Sequence, residues 1–225
     1  MYRISEKDFL NGYCDWCSKI NWYSAQLFFA QMKSVDSLEV KKALFVKIYM
    51  EYIQASEHLI VFLHTVKKSN SLVGFRKRIV KCPSDSKKLR YLYDDLKKFE
   101  RKPREIYPYL GIEISDAEYN SDKLALDGFY RVALACLRIR FRYSRENKTS
   151  KLFRVFGKFK HGFPLHSPAG TEAIFIYLSS GRKIKRLQTN LDVQHAENLV
   201  ETTQSIHNGL VNISGIAYSK GIKKS

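Results

Sequence analysis

Turn-forming residues are scarce in this chain of 225 residues, which has 11 Gly and 5 Pro. Turn-dense all-β architectures use more of both, so a mostly helical fold is expected. Long apolar runs are lacking too. Clean runs such as Leu59, Ile60, Val61, Phe62 and Leu63 stop after five or six residues, well short of the about 18 residues that cross a bilayer. The opening stretch MYRISEKDFLNGYCDWC has no apolar core and carries acids early. No secretory signal is read there, and a cytoplasmic protein without integral membrane association is expected. Cysteine is limited to positions 14, 17, 82 and 136, and in a reducing compartment these are expected to be thiols. Cys14 and Cys17 form a CxxC, but no second pair has matching spacing, so they are assigned to a helix core rather than to zinc or redox chemistry. The chain also lacks a Walker A loop, GxGxxG, HExxH and GxSxG. Nucleotide hydrolysis, dehydrogenase, zincin and α/β-hydrolase chemistries therefore have no support, and no cofactor or metal is expected.

Acids are outnumbered as well. Against 39 Lys+Arg stand 22 Asp+Glu, a formal charge of +17. An excess of that size calls for a polyanionic partner. It is concentrated between 131 and 160, where Arg131, Arg138, Arg140, Arg142, Arg145, Lys148, Lys151, Arg154, Lys158 and Lys160 face Glu146 alone. Clustered cations neutralise phosphates and release counterions. The interleaved Phe141, Tyr143, Phe153, Phe156 and Phe159 either stack on unpaired bases or turn inward to the core. A membrane surface is the competing polyanion, but the Phe-bearing segment is too short to make a strong interfacial helix.

Hydrophobic periodicity supplies the rest of the fold. Phe9, Tyr13, Trp16, Ile20, Tyr23, Leu27 and Ala30 recur at steps of three and four and predict a helix over 6–33 with that stripe as its buried face. Asp36 and Glu39 have the spacing of a capping box before a second helix over 39–67, with Leu44, Ile48, Tyr52, Leu59 and Leu63 on its apolar face. His58 and His64 fall inside it on different faces and are read as core or surface. Residues 68–85 read as a loop. A third helix over 86–101 carries Leu89, Leu92, Tyr93 and Leu96, and a Pro-broken connector follows over 103–120. A helix over 121–146 is expected, although 137–143 alternates like a strand. A short helix over 149–161 stops at Gly162. A β-hairpin over about 172–188 and a last helix over 191–218 complete a single domain, 1–225. The expected architecture is mostly α, a bundle of about five to six helices with one small hairpin inserted before the last.

One constellation carries chemistry. Positions seven apart on a helix return to within about 20°, so Arg154 and His161 share a stripe, with Lys158 near it. A guanidinium can fork onto phosphate oxygens, and an imidazole can move a proton near neutral pH. His166, five residues on, could approach the same place. The alternative is a structural role, with His161 ending its helix, Gly162 supplying the stop and Arg154 paired with Glu57.

The ending Phe156-x-Lys158-x-Lys160-His161-Gly162, with six residues between Arg154 and His161, resembles the HEPN superfamily (higher eukaryote and prokaryote nucleotide-binding domains). The signature of that family is an Arg followed after four to six residues by a His within a helical bundle. The acidic second helix, with Glu57, resembles the family's as well. Active members place a polar residue after the Arg, where this chain has Val155. The resemblance implies a homodimer that binds RNA and cleaves it without metal. Arg154 and His161 would be the catalytic pair, Glu57 would orient them, and Lys158, Lys160, Arg138, Arg142 and Arg145 would hold substrate. A non-catalytic nucleic-acid or protein interaction module of a defence or toxin–antitoxin system is the rival expectation.

Overall fold

The computed structural model describes residues 5–69, 71–79, 86–141, 165–180 and 183–220. The fold is mostly α, with one small sheet before the last described helix. The first helical run is continuous over three pieces: α1 (Glu6–Gly12), a π-helical turn (Tyr13–Cys17) and α2 (Ser18–Ser34). Ser5 caps its start by accepting from the Asp8 N–H at 3.1 Å. The apolar stripe read as core does not lie inward along its length. Phe9 and Tyr13 pack on the core, but Trp16, Ile20, Tyr23 and Leu27 are all more than half exposed, and Ala30 is exposed too. The face buried instead carries Ser18, Asn21, Ala25, Phe29 and Met32. Small side chains there let neighbouring helices approach closely, and Asn21 fixes the rotation by donating to Glu51 Oε2 at 2.7 Å and Gln54 Oε1 at 3.0 Å.

α3 (Leu38–Lys68) is the central helix. It buries Phe45, Ile48, Tyr49, Tyr52, Leu59, Phe62, Leu63 and Val66, which wrap most of its circumference, as expected of a helix surrounded by others. Its cap is Ser37, which accepts from the Val40 N–H, one residue later than the expected Asp36. Within the stretch read as a loop lies α4 (Leu72–Ile79). Ser71 caps it through the Gly74 N–H at 3.1 Å, and Phe75 and Ile79 reach the core. α5 (Ser86–Lys97) buries all four residues expected of it.

The connector is not irregular. A 3-10 turn (Pro103–Glu105), α6 (Ile106–Tyr109) and α7 (Asp116–Ser121) fill it. Pro103 opens its turn rather than breaking one, because a first-turn N–H needs no partner. Ser115 and Glu118 form a capping box ahead of α7. α8 (Lys123–Phe141) is helical through 137–141, the part whose alternation had suggested a strand. The expected helix over 149–161 lies outside the described residues.

β1 (Leu165–His166), β2 (Ala173–Ser180) and β3 (Lys183–Asn190) form an antiparallel sheet in that order. The register runs from Ala173 opposite Asn190 to Ser180 opposite Lys183, so the hairpin is present and a short third strand is added to it. The buried Lys42 ammonium ties its base to the bundle, donating to Pro168 O at 3.1 Å, Thr171 O at 2.9 Å and Glu39 Oε1 at 2.7 Å. Gly170 takes φ +70° in that turn, a conformation that favours glycine. α9 (Val193–Lys220) closes the bundle against α2, α3 and α8, burying Ala196, Leu199, Thr203, Ile206, Leu210, Ile213 and Ala217. No helix among the described residues is long and apolar enough to cross a membrane.

Candidate nucleic-acid interface

α8 is amphipathic in a way that aims charge outward. Leu126, Phe129, Tyr130, Ala133, Leu134, Cys136 and Leu137 are buried. Arg131, Ala135 and Arg138, at steps of four and three, are exposed. Two turns separate the two arginines, about 10 Å along the axis. Between them lies a cavity of about 320 Å³ lined by Glu100, Pro103, Tyr130, Arg131, Leu134, Ala135 and Arg138. Its floor is apolar and its two ends are cationic. The Tyr130 ring forms one wall while its hydroxyl donates to Leu96 O at 2.9 Å. Burial pushes that phenol up to about 12, so it stays protonated and a neutral wall at neutral pH.

The opposite side of the cavity is Glu100 and Pro103, and the cations of the segment that carries them were missed in the sequence. Lys97, Lys98, Arg101, Lys102 and Arg104 crowd the end of α5 and the turn after it, with Glu100 among them. The cavity brings this run beside α8. The run of cations was itself the available signal, but it is shorter than the stretch 131–160 and was counted as part of a helix end. Several of these cations are paired at the surface. Lys98 meets Asp95 at 2.7 Å, Lys102 meets Glu105 at 3.3 Å, and Arg104 meets Asp116. Exposed pairs of this kind contribute about 0–1 kcal/mol and exchange readily for a phosphate. Arg138 is held the same way by Glu100 at 3.4 Å. Arg131 has no carboxylate partner among the described residues.

Of the residues expected at the site, Arg138 and Glu57 are described. They do not converge. Glu57 on α3 pairs with Arg140, Oε1 to Nη1 at 3.5 Å, with both side chains about one-fifth to one-quarter exposed. Glu57 was expected to orient Arg154 and His161, and both of those lie outside the described residues. Arg142, Arg145, Arg154, Lys158, Lys160 and His161 lie outside the described residues. His166 belongs to β1. The other histidines on the expected list are structural. His64 Nδ1 meets the Tyr91 hydroxyl at 2.9 Å, and its pKa is lowered by burial and by Lys68 and Arg78. His58 packs edge-on against Tyr13.

A second cluster sits at the π-helical turn. His207 of α9 lies 2.8 Å from Ser18 Oγ through Nδ1 and 4.0 Å from Asp15 through Nε2, stacked on Trp22. The combination superficially matches a nucleophile, base and acid, but Ser18 is fully buried and already donates to Cys14 O at 2.5 Å. A hydroxyl closed off in this way meets no substrate. Cys14 is buried and its thiol is pushed far up by desolvation, and Cys17, half-buried, is pushed up by the same cause. Neither is an activated thiolate. Among the described residues no three His, Cys, Asp or Glu side chains gather where a metal could be held.

The cavity between α8 and the turns after α5 is the arrangement that suits a ligand: two guanidiniums to take anionic oxygens, one of them shared with Glu100, and an apolar floor between them for a flat or aliphatic group. No protein-family model, no curated protein and no solved structure matches this chain.

Proposed function

We propose that this chain is a HEPN-like RNA-binding protein that works as a pair of protomers and cleaves RNA without metal. The observation that carries the binding half is the cavity between α8 and the turns after α5. Arg131 and Arg138 rim it, and the chain runs directly from there into the basic stretch that ends at Lys160. An RNA strand lying along α8 would put phosphates on Arg131 and Arg138, and Arg142, Arg145, Lys158 and Lys160, which follow in the sequence, would supply further phosphate contacts.

The cleavage half rests on the resemblance of the Arg154–His161 motif. His161 takes the proton of a ribose 2′-hydroxyl as its oxygen attacks the phosphorus. Arg154 offsets the charge that builds on the non-bridging oxygens, and the 5′-oxygen leaves with a proton. The products are a 2′,3′-cyclic phosphate and a 5′-hydroxyl. General acid–base transfer of this kind contributes about 10²–10⁴-fold in rate. Val155, standing after Arg154 where active members place a polar residue, favours a second reading, in which the protein holds RNA without cutting it.

Incubation with labelled tRNA and single-stranded RNA in EDTA decides between them. Cleavage that leaves cyclic or 3′-phosphate ends and disappears in His161→Ala supports the nuclease. Intact RNA that is nevertheless bound, with affinity falling steeply as salt rises, supports the binding module. Absence of binding at low salt rejects both.

A further inference from the structure

We propose that the exposed face of the first helical run, Trp16, Ile20, Tyr23 and Leu27, is the contact surface between two copies of this chain, lying antiparallel across a twofold axis. The proposal stands on this face alone and not on the RNA reading. The four side chains are 63%, 55%, 53% and 57% exposed. They recur at steps of four, three and four, the spacing that keeps a seam on one side of a helix and faces it to a partner helix. Isolated exposed apolar side chains are ordinary, and Val40, Val73 and Val193 are of that kind. A contiguous stripe containing two aromatic rings is not.

The stripe has no way to turn inward. The opposite face of α2 is buried against α3 and α9, and Asn21 is anchored by Glu51 and Gln54. Rotating α2 to bury Ile20 and Tyr23 would break those hydrogen bonds and expose Phe29 and Met32. The stripe is therefore a stable feature of the folded protomer.

Charge identifies the occupant. The chain carries +17, yet from Ile20 to Met32 there is not one charged residue. Two copies of so basic a protein repel each other over most of their surfaces, and this is a face on which they can approach. The same lack of charge argues against an anionic membrane, which selects apolar stripes flanked by Lys and Arg. The two ends of the run differ in net sign, with Glu6 and Asp8 outweighing Lys7 at its start and Lys33 at its end. An antiparallel arrangement brings the acidic end of one copy near the basic end of the other.

The register is self-complementary. Centring the stripe on the axis sets Trp16 opposite the partner's Leu27 and Ile20 opposite the partner's Tyr23, so each large ring faces an aliphatic side chain. Side chains of this size carry about 150–250 Å² each, so with a little over half of each exposed the four supply roughly 900 Å² in a pair. Gln26, Ala30 and Gln31, exposed beside them, bring the total close to the about 1,200 Å² at the lower edge of specific interfaces. A reversible dimer is expected, not an obligate one.

The test is light scattering of the full chain across a concentration series, after nuclease treatment and in high salt so that RNA cannot bridge the copies. Wild type should pass from monomer to dimer. Ile20→Glu and Tyr23→Lys, each at an exposed position and each checked for an unchanged circular dichroism spectrum, should weaken association about tenfold or more. Because position 20 faces position 23 of the other copy, mixing the two variants should restore pairing. A wild type that stays monomeric throughout, or single variants that pair as well as wild type, would overturn the proposal. A mixture that fails to pair would overturn the antiparallel register. RNA binding measured on the same variants should be unchanged per protomer, which separates this surface from the cationic cavity.

Discussion

His207, His195 and His64 share a property that makes the fold sensitive to acid. Burial is the leading cause that lowers the pKa of each; Lys68 and Arg78 lower His64 further, and Lys19 lowers His207. Asp15 opposes the shift at His207 and Asp192 opposes it at His195. The folded state accommodates the neutral rings, so the unfolded chain takes up protons first as pH falls. Stability is then full above the unfolded value of about 6.5 and declines as pH drops below it, levelling off under the folded values. Thermal melts should show a lower Tm at pH 5 than at pH 7, and His207→Gln should flatten that dependence. A Tm that rises on acidification would show that these rings are held as cations.

Two glycines of α9 give opposite expectations. A Cβ at Gly209 would come within 2.7 Å of the Phe129 ring, while one at Gly215 would meet nothing within 4 Å. Phe129 is buried and has little room to shift. Gly209→Val should cost about 1–3 kcal/mol through overpacking. Gly215→Ala, at an exposed helical site, should stabilise by up to about 1 kcal/mol. Denaturant midpoints of the two variants would check both signs.

Among the elements, Lys42 is the joint between sheet and bundle. Replacing it by Met takes the ammonium donor from the Thr171 carbonyl and leaves Pro168 O with only the Thr171 N–H and hydroxyl, a loss of about 1–3 kcal/mol. Hydrogen exchange should then quicken in residues 170–173 more than in α9. Equal protection in the variant would show that β2 is held by its strand pairing alone.

The elements also show what periodicity can and cannot reveal. α3, α5, α8 and the hairpin were readable because each carries a long apolar pattern bounded by capping or turn residues. α4, α6 and α7 were not, since each has eight residues or fewer, and in α4 the run Arg76, Lys77 and Arg78 masks Phe75 and Ile79. The first helical run was read with the correct limits and the wrong face. Trp16 and Ile20 show that an apolar stripe exists; only tertiary packing shows that Ser18, Asn21 and Ala25, small or polar, are the side that the bundle covers. At the candidate site, Arg138 was found from charge density. The placement of the cations at 97–104 beside α8 and the Glu57–Arg140 pair needed the three-dimensional neighbourhood of α5, α3 and α8.

For the molecule as a whole, the charge imbalance predicts how RNA is held. Affinity for single-stranded RNA should fall linearly on logarithmic axes as salt rises, with about 0.7 in slope for each phosphate neutralised. Arg131→Ala combined with Arg138→Ala should therefore lower the slope by roughly 1.4, with the melting temperature little changed because both side chains are exposed. An unchanged slope would move the interface away from the cavity.

The bond between Ser18 and His207 spans 189 positions. That separation sets a schedule for synthesis. While the ribosome is still making the sheet, α2 and α3 are already outside it, with the surfaces that receive α9 uncovered. Trp22, which stacks on His207 in the finished fold, waits there, facing water, until residues 193–220 emerge and dock. A nascent chain arrested after the sheet should therefore be held by chaperones and be sensitive to protease. One extended through α9 should be released and resistant.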